Sequence, residues 1–223
     1  MNNLNDTDRI GTFLRSLEND LPEYLQKIED EALADFVPII RKESQSTLKT
    51  LVAALRPKKV LEIGTAVGFS TLLIRDTLLE IGLPSDITTI EYFEPRIAPA
   101  KENFKRAGVK NTDQDRIDFI FGDALKILPE LTDKYDFIFL DAAKAQYINM
   151  LPYIRELLNS GGMILTDNIL QDGEILESRY LITQRDRTIH ARMREFLYAI
   201  KHDEELITTI IPVGDGMSIS VKK

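Results

Sequence analysis

Hydrophobic residues in the first 56 positions recur at helical spacing. Ile10, Phe13, Leu14 and Leu17 share one face; Leu25, Ile28, Ala32 and Phe36 repeat the stripe; Leu48, Leu51, Val52 and Leu55 do so again, with Pro22 and Pro38 as punctuation. From Lys58 the texture changes to short apolar runs alternating with helical ones. Strands are predicted at 59–64, 86–92, 117–122, 136–141 and 162–167, with helices at 69–81, 94–107, 124–131 and 145–158 between them. Such alternation predicts an α/β fold whose sheet is mostly parallel, with right-handed crossovers. A polar stretch at 171–184 precedes a helix at 185–201, marked by Ile189, Met193, Phe196, Leu197 and Ile200. The chain then reads as a strand from Leu206 to Val213, a Gly214-Asp215-Gly216 turn and a strand from Met217 to Val221, a closing antiparallel hairpin. The expected division is a helical extension at 1–56 and a sheet domain at 57–223, forming one domain in all. Three apolar stripes ahead of the sheet are more than its faces obviously need, so the extension is expected to roof the active site or to form a homodimer contact.

At 223 residues, 43% of them hydrophobic and 29% charged, the chain can bury a substantial single core. It has no cysteine, which excludes disulfides, thiolate metal sites and a cysteine nucleophile, and suits a reducing cytoplasm. Two histidines, His190 and His202, are too few for a histidine-rich metal site, and His190, among arginines, is expected to be solvated. The first residues lack a signal-peptide pattern, and no apolar run approaches the roughly 20 residues of a membrane span, so a cytoplasmic location without membrane contact is expected.

The net charge of −8 is unevenly spread. Residues 1–36 carry nine acids against Arg9, Arg15 and Lys27, whereas residues 178–201 carry Arg179, Arg185, Arg187, Arg192, Arg194 and Lys201 against Asp186 and Glu195. Such a segment is either a solvated helix face or a local patch that holds phosphates on an otherwise acidic protein.

The candidate chemistry sits at the ends of the predicted strands. Tyr135–Leu140 leads into Asp141 and, three residues on, Lys144; Met163–Thr166 leads into Asp167-Asn168. In open α/β sheets the carboxyl edge is where ligands bind. Two carboxylates and an amide oxygen suit a hard divalent cation such as Mg²⁺. Taken singly, Asp141 could cap the next helix and Asp167-Asn168 could form a turn; with Lys144 beside them the functional reading is preferred. Tyr147 is expected to pack.

Val60–Ser70 reads as a strand, a small-residue turn and a helix start. Gly64 and Gly68 are four apart, which is neither the G-x-G-x-x-G dinucleotide pattern nor a Walker loop, and argues against a nicotinamide dehydrogenase. Glu62 would be awkward against a pyrophosphate but comfortable beside a cationic ligand or a hydrogen-bond donor. Glu91, ending the second strand, is placed to accept from ribose hydroxyls, and Gly122-Asp123-Ala124 puts a carboxylate near a base amino group.

These residues carry a resemblance. Leu61-Glu62-Ile63-Gly64-Thr65 with Gly68 and Ser70, Ile90-Glu91, Gly122-Asp123-Ala124, Asp141-Ala142-Ala143-Lys144 with Tyr147, and Thr166-Asp167-Asn168 resemble the cation-dependent class I O-methyltransferases, the group of the catechol and caffeoyl-coenzyme A enzymes. The likeness runs from about residue 33 to 221. It implies a Rossmann-like seven-stranded sheet with helices on both faces, S-adenosylmethionine as donor, and Mg²⁺ (or Mn²⁺ or Ca²⁺) on Asp141, Asp167 and Asn168. It implies a donor site of Glu62, Gly64, Ser70, Glu91, Asp123, Ala124 and Asp141, with the backbone near Ile40 over the methionine end, and Lys144 as general base.

The tail from Thr209 to Gly216 and the arginine-rich segment before it resemble the bacterial branch that methylates 5-hydroxyuridine at the tRNA wobble position. That implies tRNA as substrate, with Arg185, Arg187, Arg192 and Arg194 on its phosphates. A small catechol or acyl thioester is the alternative substrate, and a non-catalytic S-adenosylmethionine-binding protein the third reading.

Overall fold

The computed structural model describes residues 11–13 and 15–223. Seven strands, β1 (Val60–Ile63), β2 (Ser85–Glu91), β3 (Asp115–Phe121), β4 (Tyr135–Leu140), β5 (Leu158–Thr166), β6 (Leu206–Ile211) and β7 (Met217–Lys222), form one sheet in the order β3-β2-β1-β4-β5-β7-β6. The first five are parallel; β7 runs antiparallel to both β5 and β6. Sequence order reverses between β1 and β4, and the switch point opens a crevice at the carboxyl edge. Expected strands and helices fall within a few residues of those observed.

Alternating side chains feed two cores. Val60, Phe137 and Phe139 enter one with Leu72, Leu48 and Val52; Leu61, Ile138 and Leu140 enter the other with Tyr147, Met193 and Phe196. A strand buried on both faces must read as an unbroken apolar run, as Phe137–Leu140 does. The helix Phe69–Glu80 is buried along most of its length, because the helices Glu23–Ala34 and Lys42–Leu55 cover its outer side. Arg75 inside it grips Asp115 at the start of β3 with two hydrogen bonds of 2.6 and 2.8 Å and reaches Asp76 at 3.1 Å. Planar guanidinium and carboxylate match in this bidentate form, which offsets the cost of burying both charges.

Four expectations change. The second and third apolar stripes are consumed inside the fold rather than left for a partner: Leu25, Ile28, Ala32, Leu48 and Val52 are all core. Phe36 falls past the helix end, at φ +54°, and stands 93% exposed. Of the first stripe, Phe13 and Leu17 are exposed, and Ile10 and Leu14 lie outside the described residues. His190 is not solvated: it is only 3% exposed, on the core face of the helix Arg187–Lys201, three residues from buried Met193. That helix starts at Arg187 rather than at 185, so Arg185 lies in the turn before it. Among the described residues no helix is long and apolar enough to cross a membrane.

Candidate active site

The carboxyl edge is built around one close approach. Gly64, at φ +110°, follows the last residue of β1, and a Cβ there would collide with the Asp141 carbonyl oxygen. Only glycine allows both the dihedral and the contact. The Asp141 N–H donates to Ile63 O at 2.9 Å and the Asp167 N–H to Leu140 O at 3.1 Å, so β1, β4 and β5 end in register, with both aspartates just past the last paired residues.

On the β1–β2 side Glu62 and Glu91 are each held by three donors of the protein. Glu62 accepts from Ser70 and Thr89 at 2.6 Å each and from Thr71. Burial raises its pKa, and the three hydroxyls oppose that shift. Ser70 therefore spends its hydroxyl shaping the turn. Glu91, 4% exposed, accepts from the backbone N–H of Ala66 at 2.8 Å, Tyr92 at 3.0 Å and Phe93 at 2.8 Å. It is a buried clamp on the Gly64–Gly68 turn, not a surface cap. Asp123 is exposed and caps the short helix Ala124–Ile127 by accepting from Leu125 N–H at 3.0 Å. Ala124 is buried. Ile40 is buried as well, its carbonyl accepting from Gln45 at 3.2 Å.

On the β4–β5 side the acids are under-satisfied. Asp141 is partly exposed, and none of the described residues donates a hydrogen bond to its carboxylate. Its pKa is pushed up to about 6, first by desolvation and then by Glu62, against the pull of Lys144 and Arg96. Asp167 is 0% exposed and is pushed up to about 7 by burial and by Asp141, the Asn168 N–H opposing at 2.8 Å. Its other oxygen, Oδ2, is buried without a partner. Orphaned buried oxygens are rare and call for a reason. Asn168, at φ +57°, turns the chain immediately beside them.

Those residues fit a cation. A divalent ion would use the orphaned Asp167 oxygen and relieve the repulsion between two neighbouring carboxylates, with the Asn168 amide as a neutral third ligand and solvent or substrate completing an oxygen shell. Among the described residues no group of three or more His, Cys, Asp or Glu side chains is arranged for a metal, so the set rests on two acids and an amide.

Lys144 lies beside this edge, its Nζ 3.5 Å from Asp215. Tyr147 packs as expected: it is buried edge-on to Phe196 at 5.5 Å, its hydroxyl 3.4 Å from Asp167 O. Sequence reasoning missed Asp215, Arg41 and Arg96. Asp215 was hidden in a Gly-Asp-Gly turn that reads as punctuation, and nothing in the sequence singles out the two arginines.

The arginine segment is partly structural. Arg187 donates to Ile182 O at 3.1 Å, Arg192 to Ala145 O at 3.1 Å and Arg194 to Ile175 O at 2.8 Å. The Arg192 bond fastens this helix to the residue after Lys144. Arg185 is exposed. A cavity of about 460 Å³, lined in part by Val67, Phe93 and Arg96, meets the Gly64–Gly68 turn at Val67. Asp141, Lys144, Asp167 and Asn168 do not line it, whereas Arg96, whose charge acts on Asp141, does.

Comparison with known proteins agrees with this geometry. The chain is 33% identical over 134 residues to the catechol O-methyltransferase of Niastella koreensis, covering 58% of each chain. It is 28% identical over 177 residues to the caffeoyl-CoA O-methyltransferase of Stellaria longipes, covering 77% of this chain and 70% of that one. The crystal structure of a Podospora anserina methyltransferase bound to S-adenosylhomocysteine superposes with a TM-score of 0.86 at 25% identity, covering 100% of this chain and 97% of the other. A family model described as O-methyltransferase matches residues 16–223, and the chain belongs to that family.

Proposed function

We propose that the protein is an S-adenosylmethionine- and Mg²⁺-dependent O-methyltransferase that converts tRNA wobble 5-hydroxyuridine to 5-methoxyuridine. The observation that carries the chemistry is the acceptor edge, where Asp141 and the orphaned Asp167 oxygen stand beside Lys144. When bound, the donor supplies an electrophilic methyl group, and the cation supplies charge that acidifies and orients the acceptor hydroxyl. Asp141, Asp167 and Asn168 would hold that cation. With cation and donor bound, Lys144 would act as a free amine, its own proton already released to solvent, and would take the hydroxyl proton at Nζ while the methyl group passes from sulfur to oxygen and the S–CH₃ electron pair stays on sulfur.

On the donor side, a carboxylate offers about four acceptor positions. Three of those on Glu91 are filled by backbone N–H groups, which leaves one for a ribose hydroxyl. Gly64 keeps side-chain bulk away from the junction of the two halves.

The tRNA assignment is supported by the basic helix Arg187–Lys201, which Arg192 fastens beside Lys144. Each guanidinium has five N–H donors, so those bonded to carbonyls retain others for phosphate; Arg185 stands in an exposed turn. Small catechols are the second reading, favoured by the catechol and caffeoyl-CoA relatives. A homodimer belongs to the same proposal. Its support narrows to the exposed Phe13, Leu17, Leu33 and Phe36 of the N-terminal part, and a monomer by sedimentation at micromolar concentration would remove it. The deciding experiment is methyl transfer to bulk tRNA from a strain lacking wobble-uridine methylation, read by nucleoside mass spectrometry, with a simple catechol in parallel. 5-Methoxyuridine is expected; efficient catechol methylation with none on tRNA would transfer the assignment to small molecules.

A further inference from the structure

The Gly214-Asp215-Gly216 turn joins β6 to β7, yet its aspartate is only 4% exposed, and among the described residues its hydrogen bonds reach Lys144 and the segment that follows Asn168. Asp215 Oδ2 lies 3.5 Å from Lys144 Nζ. Oδ1 accepts the backbone N–H of Asp172, and the Asp215 carbonyl accepts that of Leu170 at 2.8 Å. Gly216 O accepts from Ile169 N–H at 3.1 Å.

The segment held in this way is an unusual one. Asn168, Gln171 and Asp172 are all left-handed, at φ +57°, +53° and +52°. Non-glycine residues keep such dihedrals only where the surroundings over-determine them. Asp172 is tied further, to Arg41 Nη2 at 2.6 Å, at the start of the helix Lys42–Leu55. The turn itself is wedged in place: a Cβ on Gly214 would strike Ser44, and one on Gly216 would strike Leu170.

We propose that Asp215 is a positioning residue for methyl transfer, holding Lys144 at the acceptor edge and pinning the left-handed loop that presents Asn168. A lysine has a flexible four-carbon stem, and a fixed buried carboxylate that accepts an N–H from Nζ, whether amine or ammonium, removes much of its freedom. Lys144 therefore meets acids on two sides, Asp141 on its own segment and Asp215 on the turn opposite, with Arg96 and Arg41 as the nearby cations acting on that edge. The inference rests on the placement of Lys144 as proton acceptor.

Asp215→Asn separates the two contacts, because its amide oxygen can still accept the Asp172 N–H while the charge facing Lys144 is gone. With whichever of the undermethylated tRNA or a simple catechol the wild type methylates, kcat of Asp215→Asn is expected to fall roughly 10- to 100-fold. KM for the acceptor, affinity for S-adenosylhomocysteine and melting temperature should stay close to wild type. In a Lys144→Ala background the same change should cost almost nothing more, since its target is gone. Asp215→Glu should recover part of the loss, and Asp215→Ser replaces Asp215→Asn if the latter does not fold. Wild-type kcat in Asp215→Asn alongside a slow Lys144→Ala would overturn the proposal alone, as would an equal loss in both backgrounds, the mark of a purely structural residue. Wild-type kcat in Lys144→Ala would overturn the base assignment and this proposal with it.

Discussion

The two halves of the crevice treat their carboxylates in opposite ways. At the ends of β1 and β2, Glu62 and Glu91 each accept three hydrogen bonds from the protein itself. At the ends of β4 and β5, Asp141 and Asp167 repel one another, and one Asp167 oxygen has no partner. The first half is a finished scaffold that fixes the Gly64–Gly68 turn. The second is electrostatically incomplete and gains most from an added cation. Acids at four strand ends look alike in sequence, but their satisfaction by neighbouring donors separates scaffold from reaction site.

The contrast breaks most severely at Gly64. In Gly64→Ala a methyl group would meet the Asp141 carbonyl at an unfavourable dihedral, so a loss of about 3 kcal/mol or more, or failure to fold, is expected by thermal melting. Next comes the reaction half. Asp167→Ala should lose turnover while remaining folded, with a melting temperature in chelator equal to or above wild type, because it removes a buried acid held in an unfavourable state. A large drop in melting temperature would mean that Asp167 is scaffold after all. Glu91→Ala should behave oppositely. It frees three backbone N–H groups, so both stability and donor affinity should fall, by about 1–3 kcal/mol in stability, and calorimetry with S-adenosylhomocysteine checks the second part.

A pH experiment sharpens the same difference. Asp141 and Asp167 have folded pKa values raised to about 6 and about 7. Between the ordinary carboxylate value of about 4 and those values, the folded state binds more protons than the unfolded chain. Stability without cation should therefore decline as pH rises from about 4 to 7. Added Mg²⁺ should raise the melting temperature clearly at pH 8 and little at pH 5; an equal rise at both would detach the ion from these acids. The smallest expected effect is at the arginines. Arg185→Ala should raise KM for tRNA and flatten its salt dependence without touching stability. Arg194→Ala should instead cost about 1 kcal/mol of stability, because it frees Ile175 O.

Much of this architecture is legible in the chain, because a parallel strand buried on both faces must be continuously apolar and its end is abrupt. Phe137–Leu140 before Asp141 and Ile164–Thr166 before Asp167 announce themselves for that reason. Legibility fails where a partner distant in sequence decides the outcome. Leu48 and Val52 look available for a second chain until the helix Phe69–Glu80 is seen to need covering on its outer side. His190 reads as solvated beside Arg187, Arg192 and Arg194, although its spacing to Met193, Phe196 and Ile200 places it on the apolar face. Those arginines read as free charge, but Arg187, Arg192 and Arg194 also bond backbone carbonyls that only the fold brings near. Asp215 is the extreme case, since a turn aspartate between glycines has an ordinary local explanation and its contacts lie 43 and 71 residues away.

The central claim is that the under-satisfied half is a cation site. Titration of Mn²⁺ into the purified protein, followed by the loss of the free-ion electron paramagnetic resonance signal, tests it without any assumption about substrate. One site per chain is expected in the wild type, lost in Asp167→Ala and preserved in Glu91→Gln. Mn²⁺ binding that survives unchanged in Asp167→Ala, or no binding in the wild type, would contradict the account.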